Sequence, residues 1–280
     1  MMNNANTITI IAATNFSAIA ENAVLYAAGL AKTVGAKLLL FNSFSLPVHS
    51  ANSHITSDGI QKLIDNTTNK LKRQAETLAQ QFGIETTVFC SYSFLEEQLV
   101  LLLKETNAQL LVMGMAERSL EQTLIGNSTT SAIKNINIPI LAVPLKAHFE
   151  AARKILFACD TFKEVPLKKL SWLWEATKLI DGEIEVFNVT EKIDNLKASD
   201  APALAKNIAE SEFQDVRYLY KSVRSNAVIA EIEKEIRNFD ADILVMIPQK
   251  YGFWDSLIHR SKTGIMASGL NIPLLSLPNY

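Results

Sequence analysis

The stretch that decides the fold is Asn137-Ile138-Pro139-Ile140-Leu141-Ala142-Val143-Pro144, which recurs as Asn271-Ile272-Pro273-Leu274-Leu275-Ser276-Leu277-Pro278. Three further blocks recur in the same order, pairing residues 10–16 with 155–161, residues 39–43 with 185–189, and residues 108–113 with 241–246. All are short apolar runs, which is typical of strands buried on both faces of a parallel sheet. Four matches in register indicate one structural unit that is written twice.

Helical periodicity fills the intervals between these blocks. Apolar residues recur three and four apart in residues 17–34, 59–81, 95–106 and 227–239, and a further helix is predicted from Pro166 to about Gly182. Ser17 is the expected N-cap of the first helix, and Gly35 is its expected C-terminal stop. Alternating strands and helices predict a right-handed, doubly wound parallel sheet in each copy.

The predicted fold class is therefore α/β, with two five-stranded domains in tandem, at residues 1–146 and 147–280. A chain of 280 residues suits two domains of about 140 residues each. The linker is placed at residues 145–153. The predicted strands are residues 7–14, 37–43, 84–90, 109–114 and 139–143, then 154–159, 183–189, 215–221, 242–247 and 273–277.

Composition excludes several classes of protein. A net charge of −2 gives no electrostatic reason to expect nucleic acid or an anionic membrane as a partner. We find no signal-peptide pattern at the N-terminus and no apolar run near the roughly 20 residues of a membrane span. Cys90 and Cys159 have no zinc or redox spacing, which favours a reducing cytoplasm. His49 and His54 lie near Asp58, but a solvated loop is favoured over a metal site there, and no metal is predicted.

Ligands of such sheets bind beyond the carboxyl ends of the strands, so the loops after strands one, two and four are the places to inspect. After strand four, residues 112–133 contain Gly114 and then Gly126-Asn127-Ser128-Thr129. Glycines allow close backbone approach to phosphate, and a following helix offers free N–H groups. This segment resembles the universal stress protein A family, whose ATP-binding members carry Gly-x2-Gly-x9-Gly followed by Ser or Thr.

The match to that pattern is partial. Ala116 or Glu117 stands where the middle glycine belongs, the loop is one residue shorter, and Asn127 takes the Ser/Thr position. After strand one the family usually has a Thr-Asp-x-Ser run, whereas Asn15 replaces the acid here and is a poorer magnesium ligand. The resemblance implies these nucleotide-binding candidates: Thr14, Asn15, Ser43, Gly114, Gly126, Asn127, Ser128 and Thr129. The alternative is that both glycines are ordinary turn residues and that residues 128–131 cap a helix.

The second copy has diverged further in the same loop. Both motif glycines are gone, and basic side chains stand near the predicted helix start, whereas Asp160 keeps the position of the family's acid. One interpretation is an anion site that uses charged side chains, formed by Asp160, His259, Arg260, Ser261, Lys262 and Thr263. The other is a packed loop without a ligand.

The resemblance covers essentially the whole chain. It implies Rossmann-like domains of the adenine nucleotide alpha hydrolase-like type, in a non-enzymatic cytoplasmic binding or regulatory module. No cofactor is required, and ATP or AMP is the expected ligand of the first copy, with magnesium doubtful. Pairing of the two copies through the strands of Val143 and Leu277 would give a pseudo-two-fold intramolecular dimer, and a homodimer is compatible with the sequence. The rival hypotheses are a ligand-free scaffold for a protein partner and, less favoured, a slow ATP hydrolase.

Overall fold

A computed structural model of the chain describes residues 8–45, 56–115, 127–159, 167–190, 216–248 and 271–278. The chain forms two compact units that divide between Phe149 and Glu150. That division falls inside the predicted linker, residues 145–153. Among the described ranges, no helix combines the length and apolar character that crossing a membrane requires.

The first unit alternates strands and helices: β1 (Thr9–Ala13), α1 (Ala18–Val34), β2 (Lys37–Phe44), α2 (Ser57–Phe82), β3 (Thr86–Tyr92), α3 (Leu95–Thr106), β4 (Leu110–Met115), α4 (Asn127–Asn135) and β5 (Ile140–Pro144). All pairings are parallel, and the strand order is β3-β2-β1-β4-β5. The chain therefore leaves β1 towards β2 and later returns to its other side as β4. The strand order reverses between β1 and its neighbour β4, and ligands bind at the carboxyl edge of the sheet at such points.

The second unit repeats this plan with β6 (Lys154–Cys159), α5 (Leu167–Leu179), β7 (Glu183–Thr190), β8 (Arg217–Arg224), α6 (Val228–Phe239), β9 (Ile243–Met246) and β10 (Leu274–Ser276). Its parallel order is β8-β7-β6-β9-β10, which matches the first unit strand for strand. The ten predicted strands and the doubly wound α/β fold are confirmed.

Burial explains why the strands could be predicted from apolar runs. Ile11 and Ala12 of β1 and Leu111 and Val112 of β4 are all fully buried, as expected for central strands covered on both faces. The ends of α1 were equally predictable. The Ser17 hydroxyl accepts a hydrogen bond from the Ala20 N–H, and Gly35 ends the helix with a left-handed φ of 66°.

Hydrogen bonds at matching positions also mark the duplication. Asn42 donates its amide to the carbonyl of Thr14 at 2.7 Å, and Asn188 donates to the carbonyl of Cys159 at 3.4 Å. At the other end of the first strand of each copy, Gln109 accepts from the N–H of Thr9 at 2.7 Å, and Asp242 accepts from that of Lys154 at 2.8 Å. Both copies thus hold the two ends of their first strand in the same way.

Candidate functional site

A cleft of about 420 Å³ opens at the carboxyl edge of the first sheet, where the strand order reverses. The ends of β1 and β4 form its floor, and the first turns of α1 and α4 flank it. Its lining consists of Ala13, Thr14, Asn15, Ser17, Ile19, Ala20, Phe41, Ser43, Leu95, Met113, Gly114, Ser128 and Thr129. A volume of this size lies within the usual range of small-molecule sites, roughly 300–1,000 Å³.

Six of the eight predicted site residues line this one cleft: Thr14, Asn15, Ser43, Gly114, Ser128 and Thr129. Gly126 and the side chain of Asn127 lie outside the described residues. Sequence reasoning missed the apolar part of the lining, chiefly Ile19, Leu95 and Met113. Leu95 is the first residue of the helix after β3, so inspecting that third loop as well would have found it.

The loop between β1 and α1, residues 14–17, is held by hydrogen bonds to its own side chains. The Thr14 hydroxyl accepts from the N–H of Phe16 at 2.9 Å, and Asn15 Oδ1 accepts from the N–H of Ser17 at 3.1 Å. Phe16 has a φ of 63°, in the left-handed region that non-glycine residues seldom occupy. Asn15 therefore uses its carbonyl oxygen to shape the loop.

Gly114 lies within β4, opposite Val143 of β5, and not in a turn. A Cβ atom built on Gly114 would stand 2.7 Å from Ile19 Cγ2 and 3.0 Å from the Ile19 carbonyl oxygen. The missing side chain therefore lets the first turn of α1 pack directly on β4. The buried hydroxyl of Thr129 donates to the Gly114 carbonyl at 3.0 Å and so fixes α4 to the same point.

No side chain in the described lining carries a charge. Polar contact with a ligand would come from hydroxyls, the Asn15 amide and the N-terminal turns of α1 and α4, whose dipoles favour negative charge. Magnesium prefers carboxylate oxygens, and this lining offers it only amide and hydroxyl oxygens, so it does not fit a dedicated magnesium site. The described residues also contain no group of three metal-ligating side chains.

Asn42 holds the strand end on which the cleft is built, and its side chain is buried. We expect Asn42→Leu to lower the unfolding free energy of the first unit by about 1–3 kcal/mol, because the buried Thr14 carbonyl loses its donor. Hydrogen exchange of the β1 and β2 amides measures this. All three tryptophans lie in the second copy, so an unchanged unfolding transition by tryptophan fluorescence is the internal control. Unchanged exchange in β1 and β2 would contradict the expectation.

The corresponding site of the second copy lies outside the described residues. This applies to every residue of the predicted anion site: Asp160, His259, Arg260, Ser261, Lys262 and Thr263. The last described residue before it is Cys159, whose carbonyl accepts a hydrogen bond from the Asn188 amide. The anion site therefore stays a prediction.

Charged side chains of the second unit meet between the sheet and α6. Glu185 of β7 and Glu235 of α6 are only 6% and 4% exposed, and Lys221 of β8 forms an ion pair with Glu235. Glu185 is hydrogen-bonded to Glu235, while its Oε1 atom is buried without a partner among the described residues. Burial, together with the charge and hydrogen bond of Glu235, raises the pKa of Glu185 to about 7, against the opposing effect of Lys221.

Comparison with known proteins points to one family. Residues 8–144, which carry the cleft, match the model of the universal stress protein family. No curated protein sequence matches the chain significantly.

Solved structures resemble the chain over both units. A universal stress protein from Archaeoglobus fulgidus DSM 4304 superposes with a TM-score of 0.72 at 15% identity, covering 96% of this chain and 98% of that one. A putative universal stress protein from Pseudomonas aeruginosa UCBPP-PA14 gives a TM-score of 0.58 at 13% identity, over 98% and 94% of the two chains. At these identities the likeness establishes a shared fold.

Proposed function

Because the chain belongs to the universal stress protein family through residues 8–144, we propose that its first unit is a binding module for an adenine nucleotide, AMP or ATP. The observation that carries this proposal is the cleft at the reversal point of the first sheet, with Thr14, Asn15, Gly114 and Ser128 in its lining. These residues come from three separate elements of the chain: the loop after β1, strand β4 and helix α4. The fold brings them to one opening of suitable volume for a nucleotide.

The lining of the cleft contains groups that suit both parts of a nucleotide. Ile19, Leu95 and Met113 offer apolar surface for the base, and Ser128 offers a hydroxyl for phosphate. The Ser43 hydroxyl donates to the Ser93 carbonyl, so its oxygen is left to accept from a ribose hydroxyl. The first turn of α4 adds backbone N–H groups that have no partner within the helix. Since the described lining gives magnesium no carboxylate, we expect the nucleotide to bind with similar affinity with and without the metal.

We expect purified full-length protein to release AMP or ATP on denaturation, or to bind them by titration calorimetry with similar affinity with and without magnesium. Ser128→Ala should weaken binding about threefold to tenfold, because it removes one exposed hydroxyl that faces the ligand. Ser131→Ala, on the same helix but outside the cleft lining, is the matched control. If the protein carries no nucleotide and neither compound produces heat, the proposal fails.

A ligand-free scaffold for a protein partner is the alternative function. It is favoured by the exposed apolar side chains of Phe94 and Leu101 at α3, whose exposures are 62% and 52%. A nucleotide found in the first cleft of purified protein would count strongly against it.

The proposal places the module in the cytoplasm. Pairing of the two copies through the strands of Val143 and Leu277 stays a prediction.

The module is proposed to act by binding and not by catalysis. A slow ATP hydrolase would need a base or a metal cage next to the phosphates, and the described lining contains neither a carboxylate nor a histidine. Steady ATP turnover that Gly126→Val abolishes, and that a substitution in the second copy leaves intact, would instead establish an enzyme.

A further inference from the structure

The long helix α2 contacts the loop between β1 and α1, residues 14–17. The ammonium group of Lys70 lies 3.8 Å from the ring centroid of Phe16. This is a close cation–π contact, and it falls on the one residue of the loop with left-handed backbone geometry. Such a backbone conformation persists when surrounding groups hold it in place.

A second contact reaches the loop one turn further along α2. Gln74 donates its amide to Glu21 Oε2 at 2.5 Å, and Glu21 Oε1 accepts from the Thr14 hydroxyl at 3.5 Å. Thr14 Oγ1 is also the atom that accepts from the Phe16 N–H. A continuous chain of hydrogen bonds therefore runs from α2 through α1 to the loop that lines the cleft.

The Gln74 contact is not optimised for stability. Gln74 Oε1 is buried without a partner among the described residues, and such an oxygen lowers the stability of the fold. Replacing Gln74 by an apolar residue of similar length would remove the unpaired oxygen and, at the same time, the hydrogen bond to Glu21. A purely structural role of Gln74 predicts that this replacement lowers the stability of the fold. A role in positioning the loop predicts a looser loop in a protein that is at least as stable.

From these contacts we propose that α2 positions the cleft: Lys70 and Gln74, with Glu21 of α1, hold the 14–17 loop in its ligand-accepting conformation. All three are positioning residues, since they reach the cleft through Phe16 and Thr14. The inference rests on the proposed function only where it concerns ligand affinity. The conformation of the loop is a property of the free protein.

The first test is hydrogen exchange of the Phe16 and Ser17 amides in the full chain without ligand. We expect about threefold faster exchange in both Lys70→Met and Gln74→Met, in line with the loss of one exposed cation–π contact or one hydrogen bond. The exposed positions of the same helix provide matched controls, Lys72→Met and Gln80→Met, which should exchange as the wild type does. Lys70→Arg keeps a cation over the ring and should restore wild-type exchange.

Stability measurements separate positioning from folding. Gln74→Met should unfold at or above the wild-type temperature, although its loop exchanges faster. The proposal is overturned if the Phe16 and Ser17 amides exchange at the same rates in Lys70→Met and Gln74→Met as they do in the wild type. So would faster exchange that spreads evenly over the whole first unit, because that pattern marks general destabilisation.

Affinity for ATP and AMP distinguishes this inference from the proposed function. If the wild type binds and the two α2 variants bind about threefold more weakly, both stand. If the wild type binds neither compound while the loop amides respond as expected, the proposed function fails and the positioning role stands. If binding and exchange are both unchanged in the variants, the positioning role fails and the proposed function stands.

Discussion

Gly114→Ala is expected to destabilise the first unit by about 1–3 kcal/mol and to abolish the nucleotide binding that is proposed for its cleft. The added methyl group would overlap Ile19 Cγ2, at 2.7 Å, and press on the Ile19 carbonyl, at 3.0 Å. The side chain can turn away, but the carbonyl moves only if the first turn of α1 lifts from β4. Overpacking in a well-packed core has this order of cost.

Denaturant unfolding followed by circular dichroism, together with nucleotide titration, measures both effects. Ile19→Ala in the Gly114→Ala background removes the closer of the two overlaps and should recover part of the stability, leaving the carbonyl contact. Gly35→Ala is the comparison for backbone strain, because Gly35 has a φ of 66° and open space around it. A Gly114→Ala protein as stable as the wild type would show that α1 does not depend on this contact.

The second unit should lose stability as the pH rises from about 4.5 to about 7. Burial and Glu235 raise the pKa of Glu185 from 4.5 to about 7, so the folded state holds a proton there that the unfolded chain releases at lower pH. Between these two values the folded state binds more protons, and its stability falls with increasing pH. The stabilising contribution of the Glu185 proton is fully present below about pH 4.5 and is lost by about pH 7.

Glu185→Gln tests this directly, because a neutral amide keeps the size of the side chain and cannot ionise. We expect it to be more stable than the wild type at pH 8 and to flatten the pH dependence between pH 5 and 8. Urea unfolding followed by tryptophan fluorescence reports this unit, since Trp174 of α5 is buried in it. Glu183→Gln, on the same strand but partly exposed, is the control. Parallel pH profiles for Glu185→Gln and the wild type would refute the assignment.

The features that could be predicted from the sequence are those that depend on residues close together in the chain. Ser17 and Gly35 mark the ends of α1 because capping depends on a few residues around each terminus. The strands could be predicted because burial on both faces requires apolar runs such as residues 10–13. Six predicted residues meet at one cleft because parallel strands bring their carboxyl ends to the same edge.

The features that could not be predicted depend on how elements far apart in the sequence pack against each other. Gly114 fits a phosphate-loop motif and a turn equally well in the sequence, and only the approach of Ile19 reveals its packing role. The pair of Glu185 and Glu235 forms because α6 packs over β7 at one register, although the two acids are fifty positions apart in the chain. Lys70 meets Phe16 for the same kind of reason, which no local pattern encodes.

The central position of β1 has a consequence for how the chain is made. Ile10 pairs with Leu110, so the first sheet closes only when a segment far along the chain has been synthesised, and contacts of such long range fold slowly. All five strands of that sheet nevertheless lie before residue 145. The first copy can therefore complete its fold on the ribosome while the second is still being translated, which keeps the corresponding strands of the two copies from competing for the same partners.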